Sequence, residues 1–406
     1  MEPFDSPELA EFRKKVRSWL DANTPRDWKK EVGLSESADR RKILAKYARR
    51  IREPGWLVPH WPKEFGGPGL TSQEQIVLKQ EMVLAEYPPV GGGIAFHHAA
   101  ATIMAYGTPE QVTHLDAILD GEVWCQGFSE PEAGSDLASL RTKAVRHGDV
   151  YILNGQKIWS SGAQYSQWSL LLARTDPTVA KHRGISIFMV DLSLPGIDIR
   201  PIKQATGGSE FCEIFLNDVE IPASCRLGPE NEGWKIAQTT LTTERWSFII
   251  ENQVRLQEAI EKLIVEARGI MVAPGVTAYE DRAIRQELGE RAAEIEALGM
   301  LADAIIGSFL RDGSVGPEGS IVKLLYSETL QKFTGLAARI RGIASDSGRE
   351  GGRLGEDWAS GEWLVDHIGS WTWTIAAGSN EIQRNIIGER ILGLPREPQT
   401  TGVTTA

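Results

Sequence analysis

Two short, turn-rich stretches gather the side chains best suited to hold a ligand. The first runs Trp124-Cys125-Gln126-Gly127-Phe128-Ser129-Glu130-Pro131-Glu132-Ala133-Gly134-Ser135-Asp136, and the second Asn154-Gly155-Gln156-Lys157-Ile158-Trp159-Ser160-Ser161. Pro, Gly, Ser and Asp mark the first as a loop, since each favours backbone angles that helices and strands do not use. Asn-Gly in the second is a hairpin signal. Small hydroxyls and an aromatic face, in two loops about one hairpin apart, suit a flat ring system with polar edges. Each stretch alone reads equally well as a plain polar turn; order and spacing together carry the assignment.

Other reactive groups are less suggestive. Cys125, Cys212 and Cys225 are odd in number and lack paired ligand spacing, which supports neither a disulfide framework nor zinc and fits a reducing cytoplasm. His97 and His98 are adjacent, so on a helix their side chains diverge. Glu130 and Glu132 flank a loop proline. No metal is assigned.

The elements that must position the two loops fall into three groups. Leu9, Phe12, Val16 and Leu20 keep an apolar stripe at helical spacing behind Pro7, and 73–87 and 109–119 continue the helical texture. Short segments rich in Val, Ile and Phe follow at 144–153, 185–192 and 211–221. The helical period returns at 236–265, 281–310 and 320–340, while 268–281 and 341–356 stay loose. This order predicts an α+β protein: a helical domain over 1–121, a β domain over 122–231, a helical domain over 232–395 and a mobile tail over 396–406. No GxGxxG opens a helix after a strand, which disfavours a dinucleotide-binding doubly wound sheet.

The bulk numbers set outer limits. With 406 residues, 41% hydrophobic and 24% charged, the chain is long enough for two or three units sharing a substantial core. A net charge of −11 and a pI near 5.3 argue against a nucleic-acid surface. The basic runs Arg40-Arg41-Lys42 and Arg49-Arg50-Ile51-Arg52 are short enough to be solvated helix faces, and a local patch could still take a phosphorylated ligand. Charges throughout the first thirty residues and no apolar run of membrane-spanning length predict a soluble, cytoplasmic protein without signal peptide or membrane contact.

The two loops together resemble the signature segments of the acyl-CoA dehydrogenase family, where the corresponding loops line one face and the edge of FAD. Trp61-Pro62-Lys63-Glu64-Phe65-Gly66-Gly67 matches the wider family, and 383–395 resembles the ending of actinobacterial members, including those of sterol side-chain breakdown. The resemblance covers nearly the whole chain. It implies a middle β-barrel-like domain, a C-terminal four-helix-bundle domain and α,β-desaturation of an acyl-CoA thioester. In that reaction a carboxylate takes the α proton while the β hydrogen leaves as hydride to the flavin. Burial lifts such a carboxylate's pKa towards the working range.

Residue by residue, the resemblance assigns FAD contacts to Gln126, Gly127, Phe128 and Ser129 of the first loop and to Trp159, Ser160 and Ser161 of the second, with Trp159 over the ring edge. Ser135 matches a loop serine that meets the pantetheine arm and the cofactor. Gly378, Ser379, Asn380 and Glu381 match a turn that reaches the cofactor from the C-terminal domain, Gly378 also lying against substrate. Many relatives place the base immediately before a Gly-Thr or Gly-Ser pair, but here Ala377 stands there. Members related to the isovaleryl- and long-chain-specific enzymes carry it on an earlier helix before an Arg, which points to Glu244, with Arg245 anchoring the coenzyme moiety or Glu244 itself. The plainer reading of Glu244-Arg245 is an exposed helix pair. The thioester oxygen would be held by the backbone N–H at Ala377, a contact indifferent to side-chain type.

Arg285-Gln286-Glu287-Leu288-Gly289-Glu290 keeps the Arg and Gly of an Arg-x-x-Phe-Gly element through which a neighbouring subunit holds FAD, but not its Phe; an ordinary amphipathic helix explains it equally well. The partners implied are an acyl-CoA, an electron-transfer flavoprotein and other subunits in a homo- or hetero-oligomer. An acyl-CoA oxidase and a non-catalytic or co-catalytic partner subunit remain the alternatives. Ala377 leaves room near the α carbon, which leans the expectation towards branched or sterol-derived acyl groups.

Overall fold

The computed structural model describes residues 6–33, 37–90, 93–243, 245–312, 316–342 and 363–396. Helix α1 (Pro7–Asn23) starts where its cap predicts: the Ser6 hydroxyl accepts from the Leu9 N–H, Pro7 opens the first turn, and Val16 and Leu20 are buried. Helices α2 (Trp28–Gly33), α3 (Ser37–Arg52) and α4 (Ser72–Leu84) follow, the last behind a reciprocal Thr71–Glu74 capping box. Buried Glu81 of α4 takes Arg13 and Arg17 of α1, each at 2.7 Å. A π-helical turn, Ile94–Ala99, runs into α5 (Ala100–Tyr106), and α6 (Pro109–Val112) and α7 (His114–Leu119) lead to the sheet.

That sheet holds β1 (Trp124–Gly127), β2 (Lys143–His147), β3 (Val150–Lys157), β4 (Trp168–Arg174), β5 (Ile185–Asp191), β6 (Ile197–Pro201), β7 (Cys212–Pro222) and β8 (Arg226–Leu227). Its order is β6-β7-β3-β2-β4-β5-β8, with β1 added parallel to β4. Strand β4 reads Leu170-Leu171-Leu172-Ala173 because both its faces are covered. Leu170 and Leu172 join the core of the N-terminal helices, while Leu171 and Ala173 join the sheet's own interior with Phe188, Val190, Ile214 and Leu216.

Beyond the sheet the chain is helical again. Helix α8 (Gly233–Thr243) lies on β5 so closely that a Cβ on Gly233 would sit 2.5 Å from the Ser186 carbonyl carbon. It also packs against α5 and the π-turn. Helices α9 (Arg245–Ala267), α10 (Arg282–Asp312), α11 (Gly319–Arg341) and α12 (Trp363–Ser370) share a separate core of Leu256, Ile295, Leu298, Leu330, Phe333 and Trp363. α9 packs against α4, which ties the last domain to the first. α13 (Thr372–Ile375), α14 (Asn380–Ile386) and a short π-helical segment, Ile387–Ile391, follow. The architecture is thus α+β, with helical, barrel-like β and helix-bundle units in that order.

One loose stretch is more ordered than expected. Within 268–281, β9 (Met271–Ala273) and β10 (Val276–Thr277) form a hairpin, and Glu280 caps Thr277 at 2.9 Å to both N–H and hydroxyl. Residues 343–362, within the second loose stretch, and 397–406 of the tail lie outside the described residues. No described helix is long and apolar enough to cross a membrane.

Candidate functional site

The two signature loops are clasped to each other by a buried ion pair. Lys157, fully buried at the end of β3, places its ammonium 2.8 Å from Glu130 and 3.1 Å from the Phe128 carbonyl. Glu130 also accepts the backbone N–H groups of Arg141 at 2.6 Å and Thr142 at 2.9 Å. The Ile158 N–H donates to the Ser129 carbonyl at 2.9 Å, a second tie between the loops. Burial pushes the Lys157 amine down to about 8, with Glu130 pulling the other way. Glu130 is held below the usual carboxylate range: burial opposes its charge, but Lys157 and the donors to it outweigh that cost.

Around this clasp the candidate ligand contacts are laid out in a mixed surface. Trp159 has φ +61° and is 57% exposed, its ring edge-on to Phe211 at 6.0 Å. Positive φ is rare for so bulky a residue, and such strain clusters at ligand sites. Ser160 is fully buried, its N–H donating to the Cys212 carbonyl at 3.0 Å, while its hydroxyl oxygen has no partner among the described residues. Gln126 on β1 likewise carries a buried amide nitrogen without a partner among the described residues. Ser129 and Ser161 are half-buried and Ser135 is exposed; Phe128 is buried in the N-terminal core. Gly127 is buried on β1, where a Cβ would meet the Ser169 hydroxyl at 2.9 Å. Orphaned buried polar groups cost free energy, of order 1–3 kcal/mol each, unless something completes them.

The C-terminal turn is fixed from α11 and α14. Ala377 and Gly378 both take the left-handed region, at φ +55° and +86°. Lys323 of α11 donates to the Gly378 carbonyl at 2.8 Å and to Asn380 Oδ1 at 3.0 Å, and Ser327 reaches the same Oδ1 at 3.0 Å. Gln383 holds the carbonyls of Ala377 and Gly378 at 3.0 and 3.1 Å. Both carbonyls thus point into the protein, while the N–H of Ala377 donates to nothing among the described residues. Ser379 caps α14, and Glu381 is exposed, held below its usual range by the backbone N–H and Ser379 at the helix start. Burial lowers the Lys323 amine to about 8.

Glu244 lies outside the described residues; α8 ends at Thr243 and α9 opens with Arg245. Arg285 is exposed in the first turn of α10, and a Cβ at Gly289 would meet open space, so packing within the chain does not require glycine there. Lys157, Lys323 and Gln383 escaped the reading of the sequence. For Lys157 a signal existed, because it shares strand parity with buried Tyr151 and Leu153 and must therefore point inward. For Lys323, on a helix more than fifty residues before the turn it holds, there was none.

Known families match along the whole chain: "Acyl-CoA dehydrogenase, N-terminal domain" over residues 6–122, the middle domain over 125–219 and the C-terminal domain over 231–392. Acyl-CoA dehydrogenase IpdE1 of Mycobacterium tuberculosis is 35% identical over 398 residues, covering 96% of this chain and 99% of its own. A solved structure described as the Tcur3481-Tcur3483 steroid ACAD superposes with a TM-score of 0.82 at 30% identity, over 98% of this chain and 100% of that one. The ChsE4-ChsE5 complex from Mycobacterium tuberculosis gives 0.80 at 30% identity, over 98% and 100%.

Proposed function

The chain belongs to the acyl-CoA dehydrogenase family, and on that premise we propose that it binds FAD and desaturates a branched or sterol-derived acyl-CoA at the α,β bond, with Glu244 as base, where units 1–121, 122–231 and 232–395 meet. The observation that carries the cofactor assignment is the pair of orphaned polar atoms, Gln126 Nε2 and Ser160 Oγ, in the two clasped loops. Ser129, Ser161 and the strained Trp159 supply further hydroxyls and an aromatic edge, and the Ser379–Glu381 turn meets the cofactor from the other side. FAD, when bound, accepts the hydrogen and electron pair that leave the β carbon.

The chain's own residues do the rest. The Ala377 N–H, which donates to nothing among the described residues, donates to the thioester oxygen as negative charge builds there. Glu244 takes the α proton, Arg245 orients it or the coenzyme, and Ser135 meets the pantetheine arm. Electrons pass on to an electron-transfer flavoprotein. The three cysteines are free, as suits a cytoplasmic enzyme. The test is Glu244→Gln: anaerobic bleaching of the flavin by an acyl-CoA falls by several orders of magnitude, and bleaching near the wild-type rate removes Glu244 as base.

A second reading, that this is one subunit of a hetero-oligomer whose flavin site a neighbour completes, is favoured by exposed Arg285 and the open side of Gly289. Two of the similar structures are described with two chain names, and one of them as a steroid enzyme. A chain that is colourless when purified alone, and gains flavin absorbance on adding a second chain, establishes that reading.

A further inference from the structure

The turn at Ala377 is held from a distant part of the chain. Ala377 and Gly378 both sit in the left-handed region, at φ +55° and +86°, which a side chain resists unless its neighbours enforce it. The helices on either side are short, four residues in α13 and seven in α14. Gln383 holds both carbonyls but lies on α14 itself, so it ties the turn only to the element that the turn opens. Among the described residues, the one donor to these carbonyls from another helix is Lys323, 2.8 Å from the Gly378 oxygen. Its helix, α11, spans 23 residues and buries Val322, Tyr326 and Leu330 in the bundle core. The same amine reaches Oδ1 of buried Asn380 at 3.0 Å, and Ser327, one turn along α11, donates to that oxygen at 3.0 Å.

A neutral amide suffices to hold a carbonyl, as Gln383 does. Lys323 instead brings a half-buried cation that makes no ion pair among the described residues. Burial opposes its charge, and Glu381 supports that charge from beyond ion-pair range. The charge strengthens both hydrogen bonds to the turn, which is what a strained turn needs to keep one geometry. Resting on the desaturation reading, we propose that Lys323 is a positioning residue for that reaction: it fixes the Ala377–Gly378 turn to α11 and so sets where the Ala377 N–H meets the thioester oxygen. Such a donor acts only within a narrow range of distance and direction. Freeing the turn therefore costs rate before it costs binding.

The experiment uses the flavin-loaded protein and anaerobic flavin bleaching by isovaleryl-CoA and by cholyl-CoA, with the limiting rate and the half-saturating concentration read separately. Lys323→Met lowers the limiting rate about 10- to 100-fold, while half-saturation and flavin content stay within about twofold of wild type. Lys323→Arg, which keeps a cation and two donors, recovers most of the rate. If Lys323→Met does not fold, Lys323→Gln, which keeps one neutral donor, shows the same loss of rate. Wild-type rates in both Lys323→Met and Lys323→Gln overturn the proposal and leave desaturation intact. So does a loss of rate that follows loss of bound flavin, or one that Lys323→Arg does not recover. No bleaching of the wild type by either thioester overturns the desaturation reading and the role of Lys323 with it.

Discussion

Replacing Lys157 with Met isolates the clasp between the two loops. In the wild type the ammonium and the Glu130 carboxylate are 2.8 Å apart, with Lys157 fully buried and Glu130 8% exposed. At an effective dielectric of about 20 the attraction across that distance is roughly 6 kcal/mol, most of which offsets the removal of two charges from water. Lys157→Met leaves Glu130 with two backbone N–H donors and no countercharge, which costs about 3–5 kcal/mol. Lys157→Met combined with Glu130→Gln removes both charges, and one amide oxygen still accepts from Arg141 or Thr142, so the double variant is the more stable of the two. Calorimetric melting temperatures of the wild type, both single variants and the double variant measure the coupling, and flavin absorbance of the same samples reports whether the loops still hold their ligand. A Lys157→Met protein as stable as wild type, or a double variant less stable than either single one, refutes the argument that the pair is mutually dependent.

Gly378→Ala puts a side chain at φ +86° and 2.8 Å from the Gln383 amide; it costs about 1–2 kcal/mol in backbone strain and loosens the Ala377 amide, so turnover falls more than thermal stability does, as steady-state kinetics beside melting curves will show. His60 titrates at about 4 against an ordinary 6.5, so between those values the unfolded chain binds a proton that the folded one refuses. Its contribution to stability is present above 6.5 and lost as pH falls through about 4; melting temperatures across that range drop more steeply in the wild type than in His60→Phe.

The order of elements was legible because it rests on local periodicity. The Val16–Leu20 stripe behind Pro7 and the Val-, Ile- and Phe-rich runs of β5 and β7 each state their own conformation. The signature loops were legible for a similar reason, since turn chemistry is written in consecutive residues. The hairpin at 271–277 was missed because two- and three-residue strands around Gly275 carry too little pattern to stand out. Glu130 looked like an idle loop carboxylate until its partner was found 27 residues away.

What the sequence alone determined, then, is the order of helical, β and helical units and the place of the two turn-rich loops, because those properties depend on neighbours within a few positions. Tertiary structure decided the rest: that Lys157 reaches Glu130, that Lys323 aims the Ala377 turn from another helix, and that His60 lies on His97 across 37 residues of chain. Each is a pairing between distant segments, whose strength comes from shared burial. Burial is a property of the folded surface, which no single stretch of sequence contains.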